Sequence, residues 1–136
     1  MTDIRKITNP AGLYNPVPHG YSFAVSAPGD IVFLAGHWAG DADGNLIDGD
    51  FAAQVKQSLH NLGVTLAAEG LSYEDVVRLG AFVVGHDETT LAAVIDAETA
   101  LWGDRPPAQS LIPVPALALP GMRFEIEAVA VRPRRA

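Results

Sequence analysis

Polar and apolar residues alternate strongly from Arg123 to Ala128, and the run continues as an apolar stretch to Val131. Phe124, Ile126, Ala128 and Ala130 fall on one face, and Arg123, Glu125, Glu127, Val129 and Val131 on the other. A period of two predicts a strand with one packed face. It also puts Glu125 and Glu127 on the same side, about 6–7 Å apart along the backbone. A different period runs through the middle of the chain. Phe51, Val55, Leu59, Leu62 and Leu66 recur every three or four residues, the stripe of an amphipathic helix. Asp50 suits its N-cap, the helix extends to about Glu69, and Gly70 follows as a C′ residue. Gln54, Lys56, Gln57, His60 and Asn61 fall outside the stripe. Asp87 caps a second helix, Glu88 to Trp102, with Leu91, Val94, Ile95, Leu101 and Trp102 on its packed side and Gly103 as its stop. Between the helices, Ser72 caps a short turn through Asp75. Val76 to Val84 follows as a strand apolar on both faces apart from Arg78, the pattern of a central position.

The N-terminal part reads as loop and short strands. Ile4 to Thr8 is an edge strand, and Asn9 to Gly20, rich in Pro, Gly and Asn, is an ordered loop carrying Tyr14 and His19. Tyr21–Ser26 and Ile31–Ala35 are strands joined through Ala27-Pro28-Gly29-Asp30, a type II turn sequence that predicts a hairpin. A second tight turn occupies Asp41 to Asn45. Near the other end, Arg105 to Ser110 is a stiff Pro-rich loop holding Gln109, followed by a short strand. If that strand pairs with the alternating one, Gln109 and the carboxylates share a site. The element order is hairpin, helix, strand, helix, strand, strand. It predicts one α+β domain over residues 1–136, with both helices on one face of a single sheet.

Composition changes this picture in three places. Mean hydropathy is +0.17 with 49% hydrophobic residues, more apolar than one small core requires, so an oligomer that buries surface between subunits is expected. The net charge is −7, which repels phosphate backbones and argues against a nucleic-acid partner; Arg132-Pro133-Arg134-Arg135 is too short to reverse it. Cysteine is absent, which excludes disulfides and thiolate metal sites. With no apolar run that reads as a signal peptide or membrane span, a cytoplasmic protein without a membrane partner is the expectation.

The candidate chemistry narrows by elimination. His19, His37, His60 and His86 are never four residues apart, and no HExxH is present, so no metal site is expected. Asp41 to Asp50 is rich in Asp, yet its glycine falls fourth rather than sixth and no glutamate closes the loop, so calcium is not expected either. There is no GxSxG, phosphate-binding loop or GxGxxG, and Ser110 has no adjacent base. Acid–base work by a partly desolvated strand carboxylate is what is left. The competing reading of Glu125 and Glu127 is a solvated or ion-paired face shared with Arg123.

Several segments, in order and spacing, carry a resemblance. They are the Tyr21 segment, Leu34-Ala35-Gly36-His37, Gly44-Asn45-Leu46-Ile47, the run from Ala53 to Leu62, Gly70 to Val77, and Leu119 to Ala128. Along nearly its whole length the chain resembles the RidA (YjgF/YER057c/UK114) family. The resemblance implies a chorismate-mutase-like α+β fold and a homotrimer with clefts at subunit interfaces. It implies cofactor-free hydrolysis of small 2-imines and 2-enamines to 2-keto acids, with release of ammonia. It implies that Glu125 holds the attacking water and that Tyr21 and backbone groups near Gly36 and Leu111 line the pocket. In deaminating members the loop reads Pro-Ala-Arg-Ser, and its arginine grips the substrate carboxylate. Here it reads Pro107-Ala108-Gln109-Ser110. A neutral amide cannot reproduce a bidentate guanidinium–carboxylate pair, a loss of about 1.5–3 kcal/mol. Gln109 suits a neutral carbonyl, amide or hydroxyl instead; Arg105, behind two prolines, is a candidate substitute cation. The expected function is a RidA-like hydrolase acting on an imine or enamine, or a related unsaturated metabolite, not held through a carboxylate. The alternative is a non-catalytic trimeric protein that binds a small metabolite or serves as an interaction module. Ribonuclease activity, associated with the family, is disfavoured by the acidic charge and the lack of a basic–aromatic stripe.

Overall fold

The computed structural model describes residues 3–134. Its strands are β1 (Lys6–Thr8), β2 (Ala24–Ser26), β3 (Asp30–His37), β4 (Val76–Val84), β5 (Ala108–Val114) and β6 (Phe124–Arg132), and its helices are α1 (Phe51–Ala68) and α2 (Glu88–Trp102). Both helix starts are as the sequence predicts. The Asp50 carboxylate accepts from the Ala53 N–H at 2.9 Å, and Asp87 and Thr90 form a reciprocal capping box. Gly70 N–H to Ala67 O and Leu71 N–H to Leu66 O close α1. Asp41 accepts from the Asp43 and Asn45 N–H groups, which makes its segment a turn.

The main sheet has the order β3-β6-β4-β5, antiparallel except for the parallel pair β4–β5 that α2 connects. Leu79, Ala81 and Val83 of β4 stand in register with Ala128, Ile126 and Phe124 of β6 and are buried with them under Val55, Leu59, Leu62 and Leu66 of α1. An α+β domain with two helices on one face of a mixed sheet is the result. The packed face of β6 is the one that the alternation predicts.

Four expectations need correction. The hairpin does not form: β2 pairs with β1, β3 pairs with β6, and these two pairs belong to different sheets. Gly29 adopts φ +142° rather than the roughly +80° of a type II turn, and a Cβ there would overlap Arg132 O. The chain therefore crosses the end of β6 and delivers β3 alongside it. Second, β4 separates β5 from β6, so the two C-terminal strands are not neighbours, and Gln109 lies within β5 rather than in a loop. Third, the buried column of α2 is Thr90, Val94, Glu98 and Trp102, while Leu91 and Leu101 remain exposed.

The fourth concerns Gln54, which is buried. Its Nε2 donates to Gly121 O at 3.0 Å, and its Oε1 accepts from the Arg123 N–H at 2.9 Å. One side chain thus ties α1 to the turn that launches β6. Replacing it with Leu leaves both backbone groups without a partner, and urea unfolding is expected to show a loss of about 1–3 kcal/mol. A midpoint equal to wild type would mean that water replaces both bonds.

Candidate active site

A cavity of about 480 Å³ opens between the N-terminal loop, α2 and β5. Its wall is formed by Tyr14, His19 and Tyr21 from the loop, Leu91, Val94 and Ile95 from α2, and Gln109 and Leu111 from β5. The loop is placed by Ser22, whose N–H donates to Pro107 O at 2.9 Å and whose Oγ–H donates to Pro106 O at 2.6 Å. These bonds bring Tyr21 into the same wall as Gln109. The Tyr14 and Tyr21 hydroxyls are hydrogen-bonded to each other, and both rings pack edge-on against Phe23.

Of the sequence-derived candidates, Tyr21, Gln109 and Leu111 therefore converge, whereas Gly36 and Glu125 meet elsewhere. Glu125 is in register with Phe82 of β4, and Gln109 with Leu79. Positions 79 and 82 point to opposite sides of the strand, so Gln109 faces the helices and Glu125 the open face of the sheet. There the Glu125 carboxylate lies directly over Gly36, where any Cβ would overlap its Oε1. Glu125 is half-buried and makes no ion pair among the described residues. Glu127 instead stands 3.8 Å from Arg78 Nη1, both side chains well exposed. Arg123, expected to share that face, reaches over the Phe51 ring and toward Val84 O.

The other candidates are accounted for structurally. Arg105 donates to the Asp3 carboxylate at 3.0 Å and to Arg5 O at 2.8 Å, so it is not a substitute cation for the cavity. Arg5, which unlike Arg105 is buried, holds the Asp3 carboxyl far below the usual carboxylate range. His37 bonds Ala35 O and Thr65 Oγ1, and His60 is exposed on α1. Among the described residues no group of three His, Asp or Glu could hold a metal ion, and no helix is long and apolar enough to cross a membrane.

Glu98 was missed by sequence reading. It is 1% exposed, and its carboxyl lies beside the Gln109 side chain. Burial pushes its pKa up to about 8, and the Gln109 contact pulls the other way. The signal was available in the sequence, because Glu98 sits four residues from both Val94 and Trp102, on the inward stripe.

The sequence model of the family described as Endoribonuclease L-PSP matches residues 15–132. The chain belongs to this family, which includes the RidA proteins. Among relatives of the family, it is 34% identical over 115 residues to protein DfrA of Myxococcus xanthus, covering 84% of this chain and 85% of that one. It is 35% identical over 102 residues to the 2-iminobutanoate/2-iminopropanoate deaminase of Bos taurus, covering 74% and 72%. The crystal structure of YyfB from Yersinia pestis, a conserved Rid family protein of unknown function, superposes with a TM-score of 0.89 at 40% identity, covering 95% of this chain and 99% of that one. The family thus includes imine deaminases and carries the two-helix, mixed-sheet fold found here.

Proposed function

We propose that the protein is a RidA-type hydrolase that converts a small imine or enamine to a carbonyl compound and ammonia, without an arginine–carboxylate grip on the substrate. The observation that carries this reading is the Glu125 carboxylate, held over a bare Gly36 and engaged by no cation among the described residues. A carboxylate so placed accepts a hydrogen bond from water. As the water oxygen bonds to the C=N carbon, its proton passes to Glu125 and the π electron pair moves to nitrogen. Glu125 returns that proton to nitrogen to give a neutral carbinolamine. The hydroxyl proton then passes by way of Glu125 to nitrogen as the O–H pair becomes the C=O bond and the C–N bond breaks, which releases ammonia. An enamine enters the same route after protonation at carbon. No step calls for a cofactor or metal.

In one chain the sheet separates Glu125 from the Gln109 cavity, so the reading includes a homotrimer with the site completed between subunits. The open face supports this. Phe33 is 79% and Ile31 62% exposed there, in the same layer as Glu125 and Val129, an apolar surface that a second copy would cover. The net charge of −7 supports a small molecule over RNA as the ligand.

The test is ammonia release from imines generated in situ by oxidation of an amino acid and of the corresponding amino acid amide. Acceleration is expected for the uncarboxylated imine, and less for the carboxylated one. No acceleration of either sinks the hydrolase reading. Binding without consumption would favour a small-metabolite binder, the reading that the arginine-to-glutamine departure at Gln109 most encourages.

A further inference from the structure

Half of the lining of the Gln109 cavity is aliphatic: Leu91, Val94 and Ile95 from α2 and Leu111 from β5. Three aromatic rings make up the rest of it apart from Gln109. The Tyr14 and Tyr21 hydroxyls are engaged with each other, and the Tyr14 ring packs edge-on against both His19 and Phe23. That side is therefore a fixed aromatic surface. No Lys, Arg, Asp or Glu lines the cavity, and His19 is the only lining side chain able to carry a positive charge. Beside Gln109 is the buried acid Glu98, so an anionic ligand would find little here to balance it. The aliphatic side is also partly wet. Leu91 is 37% exposed, although Val94, three residues on, is fully packed. Apolar surface left in water along a concave site is what a bound apolar group covers.

We propose that this cavity receives the substrate's side chain, and that the substrate class is an uncharged imine or enamine bearing an aryl or large branched alkyl group. The proposal rests on the hydrolase reading above, in which a neighbouring subunit brings Glu125 to the C=N group. A three-carbon imine would leave much of a cavity of about 480 Å³ to water. A phenyl group covers Leu91 and Ile95 and meets the tyrosine rings in the offset or edge-on contacts that aromatic pairs favour. With no guanidinium at position 109 to grip a carboxylate, apolar burial is the main source of affinity that the wall offers. The loss of the cation and the apolar lining thus act in the same direction.

Two pairs of probes test this on the full chain. Imines made in situ from phenylalaninamide and alaninamide differ only by a phenyl group, and so do phenylacetone and acetone, whose binding is read by isothermal titration without turnover. The wild type is expected to favour the phenyl member of each pair by about tenfold to a hundredfold, in kcat/KM for ammonia release and in affinity for the ketones. Ile95→Trp, which fills the cavity, should bring both ratios close to one. Leu91→Ala, at an exposed position on which folding depends little, should lower both severalfold. Ala100→Trp fills a different cavity, lined also by Lys56, His60 and Leu101, and should leave both ratios as in the wild type. Wild-type ratios near one, ratios indifferent to both cavity variants, or their loss in Ala100→Trp would overturn the proposal. Equal hydrolysis of the two imines sinks this proposal and leaves the hydrolase reading standing. Selective binding of phenylacetone by a protein that hydrolyses neither imine sinks the catalytic reading alone.

Discussion

Glu125→Gln is expected to lower ammonia release by about 10²–10⁴-fold, the usual contribution of a positioned general base. The amide keeps the shape and can still hold a water, but it cannot take the water's proton. The fall should therefore appear in kcat while substrate affinity changes little. Gly36→Ala provides an independent route to the same loss. A Cβ at position 36 overlaps Glu125 Oε1, so the carboxylate must move by an ångström or more. Misplacement on that scale costs on the order of 10²-fold in rate even with the glutamate present. The measurement is steady-state ammonia release, with thermal unfolding as the control for folding. Wild-type turnover by Glu125→Gln would remove Glu125 from the chemistry.

The stability of the protein should fall steeply between about pH 4.5 and pH 8, and Glu98 should be the cause. Its ordinary pKa is 4.5, and burial raises the folded value to about 8. Below pH 4.5 both the folded and unfolded chains carry the proton, and the group contributes nothing to the pH dependence. Between the two values the folded chain keeps a proton that the unfolded chain releases, so each rising pH unit favours unfolding. Above pH 8 the loss levels off. The full change amounts to roughly 3–5 kcal/mol, a large share of the stability of a domain of this size. Glu98→Gln and Glu98→Leu should flatten the profile over that window and be the more stable proteins at pH 8. Urea unfolding at closely spaced pH values reads this directly. An unchanged slope in both variants would mean that Glu98 titrates in the native state much as it does in the unfolded chain.

Glu98 also changes how the departure from the deaminase pattern is understood. At the level of sequence, Gln109 is the loss of a cation. In the structure its side chain lies beside a buried acid, so the change at position 109 also bears on Glu98.

Local pattern was enough for much of the fold. The alternation in β6, the stripe of α1 and the caps at Asp50 and Asp87 are set by neighbours within a few residues, and each stands where the sequence places it. The family was legible for a related reason, because its marks are short segments in a fixed order. What those segments touch is a different matter. The pairing of β3 with β6 rather than β2 was decided by the path of the chain at Gly29 against Arg132, far away in sequence. The burial of Gln54 follows from the turn at Gly121, and that of Glu98 from the position of β5 beneath α2. Candidate residues suffered most from this. The sequence by itself determined that Glu125 and Glu127 share a face, because a strand has a period of two. Only the tertiary structure decided that β4 separates β6 from β5, that Gln109 and Glu125 look out from opposite sides of one sheet, and that an unpartnered acid stands behind the glutamine. Side-chain period is a property of one strand, whereas strand order and burial depend on contacts between segments that local sequence does not encode.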